Sequence, residues 1–95
     1  MSGQNRPFKY GANDRREFIV QDSEVTVRLV YDASNNPIYI ARAKVGVGVT
    51  EAKWQIQQLN YTANNLVSVL WPQSGGIASS EYEFVYNNYL TYTYS

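Results

Sequence analysis

The sequence predicts an all-β fold, a small antiparallel β-sandwich or barrel, and three observations carry that prediction. Short apolar runs alternate at period two, as half-buried strands do. Clusters of Asp, Asn, Ser, Pro and Gly punctuate those runs as turns. Aromatic residues, nine of them tyrosine, are of a type that strands favour, and no long run has helical period. At 95 residues there is room for one core. The expected organisation is an extended N-terminal arm over residues 1–16 and a single β domain over residues 17–95.

The arm is polar and interrupted by Gly3, Pro7 and Gly11. Phe8 and Tyr10 are two apart, so an extended segment presents them on one face, suited to docking on a neighbouring groove. Glu17 to Val20 reads as a first short strand. From Glu24 to Tyr31 the alternation is clean, with Val25, Val27, Leu29 and Tyr31 on one face and Glu24, Thr26, Arg28 and Val30 on the other. Asp32 to Pro37 is a dense set of turn formers, and Pro37 suits the first position of the following strand.

In that strand, Ile38 to Val45, Tyr39, Ala41, Ala43 and Val45 form the more uniformly apolar face and are placed inward. Small Ala41 and Ala43 leave space for a large neighbour such as tryptophan. Arg42 and Lys44 then point to solvent or to an acidic partner. Gly46 to Thr50 reads as a flexible linker with apolar side chains.

Residues 53–71 are the expected centre of the domain. Two apolar-rich strands flank Thr62-Ala63-Asn64-Asn65, a turn in which asparagine tolerates positive φ. The phase of the first strand changes near Gln57-Gln58. A bulge there would put Trp54, Ile56, Leu59 and Tyr61 on one side. Val67, Val69 and Trp71 share a face of the second strand. Trp54, Ile56, Val67, Val69 and Trp71 are the expected core.

Pro72 to Ser80 is read as a loop and Glu81 to Val85 as a strand, followed by an Asn87-Asn88 break. Tyr89 to Ser95 reads as a last strand without charge or proline, a poor edge for a monomer and a good one for a neighbour. Tyr82, Tyr86, Tyr89, Tyr92 and Tyr94 are therefore expected at an interface, together with Phe8 and Tyr10, because tyrosine joins an apolar body to a polar tip.

The composition argues against most chemistry. With no histidine or cysteine, the usual neutral-pH base, thiolate metal sites and disulfides are unavailable. Glu81 and Glu83 are the one pair that resembles an acid and base, at about 6–7 Å between Cβ atoms on a strand; paired acids on a wet strand face are commoner than catalytic ones. No enzyme activity, cofactor or metal is expected. Net charge is zero, yet unevenly spread. Residues 1–16 hold four basic side chains against Asp14, whereas residues 54–95 hold Glu81, Glu83 and no base. Such a distribution does not suit phosphate tracking, so nucleic acid is not an expected partner. No apolar run reaches the roughly 20 residues of a membrane-spanning helix. Glycan binding by exposed aromatics is a weaker alternative.

Residues 38–95 also resemble a family of small structural proteins of tailed bacteriophages. The resemblance rests on Tyr39-Ile40-Ala41-Arg42-Ala43-Lys44, Trp54-Gln55-Ile56, Tyr61 with its turn, Val69-Leu70-Trp71, and Asn88 with the Thr93-Tyr94-Ser95 end. Tyr86 and Tyr89 depart from it, standing where the family usually has Trp and Arg. The resemblance implies a virion component made in the host bacterial cytoplasm, which assembles with copies of itself and with larger virion proteins. An adaptor or attachment role in the neck, tail or fibre is the first expectation. Capsid decoration is the alternative, and a carbohydrate-binding module the second.

Overall fold

The computed structural model describes residues 16–95 and is built almost wholly from antiparallel strands. Five of them form a meander in chain order: β1 (Arg16–Gln21), β2 (Val25–Tyr31), β3 (Pro37–Lys44), β4 (Ala52–Thr62) and β5 (Asn65–Leu70). β6 (Gln73–Ser74) and β7 (Ile77–Ala78) make a small hairpin, turned at Gly75 and Gly76, both at positive φ. β8 (Phe84–Val85) pairs with the start of β4, and a 3-10 helix follows over Tyr86–Asn88. The arm and its aromatics Phe8 and Tyr10 lie outside the described residues, except that Arg16 already belongs to β1.

The register decides which face of each strand is inside. Val30 lies opposite Tyr39, Arg28 opposite Ala41 and Thr26 opposite Ala43, and Ala41 continues to Ile56 on β4. Side chains of paired residues share a face. One face of the sheet therefore carries Thr26, Val30, Tyr39, Ala41, Ala43, Trp54 and Ile56, all buried. The inward placing of Tyr39, Ala41 and Ala43 agrees with this, and Trp54 belongs to the same apolar cluster as the two alanines. Val45, just past β3, is 40% exposed.

The second layer over this face is the C-terminal segment. Phe84, Tyr86 and Tyr89 are buried in the cluster, and Tyr92 and Tyr94 pack against it. The rings interlock: Tyr39 lies 4.8 Å from Tyr89 and 5.6 Å from Tyr94, and Tyr86 lies 5.4 Å from Trp54 and 5.3 Å from Tyr89. The loop after β3 closes one end of the core. Its Val47 and Val49 pack on the cluster, and the Trp54 indole Nε1–H donates to the Gly48 carbonyl at 3.0 Å.

The β4–β5 turn has the positive φ expected of it, at Ala63 (φ 50°) and Asn64 (φ 66°). Two such residues in a two-residue hairpin make the type I′ geometry, which follows the sheet's twist. Alanine is the misfit, because its Cβ meets the following carbonyl in the left-handed region. Ala63→Asn is expected to raise stability by about 0.5–1 kcal/mol, since asparagine tolerates this conformation better. The check is a higher thermal midpoint with an unchanged circular dichroism spectrum.

Two expected features fall differently. The bulge is in β5 rather than at Gln57-Gln58: Asn60 pairs with Ser68 but Tyr61 with Leu66, leaving Val67 as the extra residue. Tyr89 to Ser95 is not a regular strand. Turns carry it across the core, and only its end pairs, with Tyr94 bridged to Pro72. The main-chain groups of Trp71 and Ser95 bond each other in both directions, at 3.0 and 2.9 Å.

Candidate interaction surface

The sheet's second face differs in kind from the first. It carries Phe18 and Val20 from β1, Val27, Leu29 and Tyr31 from β2, Ile40 from β3, Leu59 from β4 and Val69 from β5, as their pairing requires. None of these belongs to the apolar cluster under the C-terminal segment. Phe18 is 37%, Val20 58% and Val69 41% exposed. Leu59 is buried and Val27, Leu29, Tyr31 and Ile40 are half-buried, so the apolar surface left to water is that of Phe18 and the exposed valines. Apolar residues grouped on one face mark an interaction site.

The same face is basic. Arg42 and Lys44 stand on it, and Arg42 Nη1 donates to Gln57 Oε1 at 2.8 Å. The one acid within β1 to β5, Glu17, is on the opposite face, where its carboxylate accepts from the Tyr86 hydroxyl at 2.9 Å. Beside Val25 and Lys44 the face runs into an open groove of about 800 Å3, lined also by Glu51, Lys53 and Tyr82.

Tyr82 is exposed at the end of an acidic loop before β8. The loop is internally organised. The Ser79 hydroxyl donates to Glu83 and accepts from the Glu81 N–H, and Gln55 Nε2, on the second face of β4, donates to the Ser80 carbonyl at 2.8 Å. Both glutamates are exposed and in the loop rather than on the expected strand.

The expected interface residues thus divide. Tyr82 is available at the surface, but Tyr86 and Tyr89 are buried at 3% and 8% exposure and so belong to the chain's own core. Tyr92 and Tyr94 are half-buried against that core, and their hydroxyls are engaged. The Val85 N–H donates to the Tyr92 hydroxyl at 2.9 Å, and the Tyr94 hydroxyl donates to the Tyr89 carbonyl at 2.7 Å. With one sheet in the core, these rings are needed to cover it.

The expected core divides too. Trp54 and Ile56 are fully buried. Val67 is 60% exposed because it is the bulge residue, and Val69 is exposed because its pairing with Leu59 puts it on the second face. Trp71 is only half-buried, just past the end of β5. The second face itself was visible as the Val25-Val27-Leu29-Tyr31 alternation; which face the core would use was not.

Arg28 is the basic residue that β2 places on the covered face. Its guanidinium lies 5.1 Å from the Tyr86 ring centre and 6.0 Å from that of Trp54, a cation–π placement that offsets part of its desolvation. Burial, and then the neighbouring Glu17 charge, pushes the Tyr86 hydroxyl well above the usual tyrosine range. Burial does the same to Tyr94.

A raised folded-state pKa stabilises below the unfolded value, near 10, and that contribution is lost as pH rises above it. For Tyr86 alone the loss is about 1.4 kcal/mol per pH unit. Alkaline titration followed by tyrosinate absorbance should show cooperative unfolding above about pH 10, shallower in Tyr86→Phe. Free, uncooperative titration of all nine tyrosines would contradict the burial of these two.

Among the described residues no three His, Cys, Asp or Glu side chains gather as metal ligands would, and no helix is long and apolar enough to cross a membrane. Comparison with protein-family models, with curated proteins and with solved structures found no match.

Proposed function

We propose that this chain is a non-catalytic structural protein of a tailed-phage particle, an adaptor or attachment domain of the neck, tail or fibre. It assembles with copies of itself and with larger virion proteins. The observation that carries the reading is the exposed apolar second face, with Phe18, Val20 and Val69 outside the core cluster. A face of this kind gains stability when another subunit covers it. β1 and β5 are the ends of the strand order among the described residues, and a strand edge is a template for pairing with another chain. Phe8 and Tyr10 of the arm are further docking groups in this reading. The resemblance over residues 38–95 supplies the virion context.

The test is the particle itself. Mass spectrometry of gradient-purified virions should find the chain at a stoichiometric copy number, and a density map should place it with its second face covered. Absence from purified particles would overturn the virion reading.

A further inference from the structure

We propose that the second face is a self-association surface, covered by the same face of a second copy, with the acidic loop of residues 79–83 of each copy lying over Arg42 and Lys44 of the other. The proposal rests on the assembly reading above but names the occupant.

Charge selects it. The second face offers Arg42 and Lys44 and draws no acid from its own strands. The acidic loop is the opposite: Glu81 and Glu83 are the only charged side chains in residues 54–95, and both are exposed. Among the described residues, Arg42 bonds the neutral Gln57 and Glu83 bonds the neutral Ser79, so these two charges are matched there by neutral groups. Position selects it as well. The Gln55–Ser80 bond ties the loop to the margin of the second face, and Tyr82 lines the groove that Lys44 also lines. A two-fold axis lying in the plane between the two stacked faces, beside this groove, sets each loop opposite Arg42 and Lys44 of its partner.

Area points the same way. Five strands about 4.8 Å apart and 6, 7, 8, 11 and 6 residues long present roughly 600 Å2. A stable interface of standard size takes about 800 Å2 from each partner. Face-to-face stacking of two sheets, about 10 Å apart, therefore falls short, and the loop with Tyr82 supplies the remaining contact. A reversible dimer sensitive to salt is the expected product.

The experiment is sedimentation of the full chain and of two charge-reversed variants, Arg42→Glu with Lys44→Glu and Glu81→Lys with Glu83→Lys. All four residues are at least partly exposed, so both variants should keep the wild-type circular dichroism spectrum. Each variant alone should dimerise at least about tenfold more weakly than wild type. An equimolar mixture should recover the dimer, because the reversed surfaces match each other. A wild-type chain that stays monomeric overturns the proposal, as does a dimer that neither variant weakens, or a mixture that fails to recover. Loss of the dimer in Phe8→Ser with Tyr10→Ser, with both charge variants intact, would make the N-terminal segment the occupant instead. A monomeric chain found in virions would sink this inference and leave the structural reading standing. A dimer absent from virions would do the reverse.

Discussion

Trp54→Ala is expected to unfold the protein at moderate temperature. The indole is 1% exposed and joins β3's small residues to the aromatic layer through Tyr86. Deleting a buried tryptophan removes its transfer free energy and leaves a cavity between a sheet and a rigid ring stack, which closes poorly. The cost is about 3–5 kcal/mol, against about 5–15 kcal/mol of total stability for a typical domain. Two further contacts go with it, the bond to the Gly48 carbonyl and one of the two rings beside Arg28. Trp71→Ala is the control, since Trp71 is half-buried and absent from the core cluster. Urea midpoints should fall far more for Trp54→Ala than for Trp71→Ala. Equal losses would mean that both indoles share one core, as the sequence alone suggested.

The second large effect is expected from ending the chain at Thr91. The truncation removes Tyr92 and Tyr94 from the cover over the sheet. It also removes the Trp71–Ser95 pair of main-chain bonds, the Gln73 N–H to Thr93 carbonyl bond at 2.8 Å and the acceptor of the Val85 N–H. Each hydrogen bond contributes about 0.5–1.5 kcal/mol net, and each half-buried ring about 1 kcal/mol or more. The total is about 4–8 kcal/mol, enough to expose Tyr39 and its neighbours and to cause aggregation. Amide exchange should quicken along β3 and β4, with loss of near-ultraviolet dichroism from the tyrosines. A truncated chain that stays stable and monomeric would mean that the terminal segment serves a partner rather than the core. The distinction matters for assembly, since a segment holding the core cannot be lent to a neighbour without cost.

Several features were legible in the chain as written. Period-two alternation in residues 25–31 and 38–44 located β2 and β3, because a pleated strand sends successive side chains to opposite sides. The Asn-containing turn at 62–65 and the Asp-Asn turn at 32–36 follow from residues that tolerate positive φ or bond their own backbone. Asp32 Oδ1 accepts from the N–H groups of Ser34 and Asn36. Ala41 and Ala43 announced the inner face of β3 through their size. The open face was half legible: its apolar alternation in β2 was plain, and so was the unequal spread of charge along the chain.

The tertiary structure decided what pattern alone leaves open. Both faces of β2 hold apolar residues, and the core takes the one carrying Arg28 because pairing with Ala41 and Ala43 fixes it there. Val67 and Val69 moved out of the expected core because a bulge in β5 and the pairing of Val69 with Leu59 set their faces, and register is a property of two strands together. Tyr86 and Tyr89 moved in because a single sheet must cover one face with something, and the remaining aromatic stretch was the C-terminal one. Composition and local spacing thus determined class, turns and strand positions, which depend on short-range sterics. Which apolar surface became core and which stayed outside it depended on how distant segments met, and no local pattern encodes that choice.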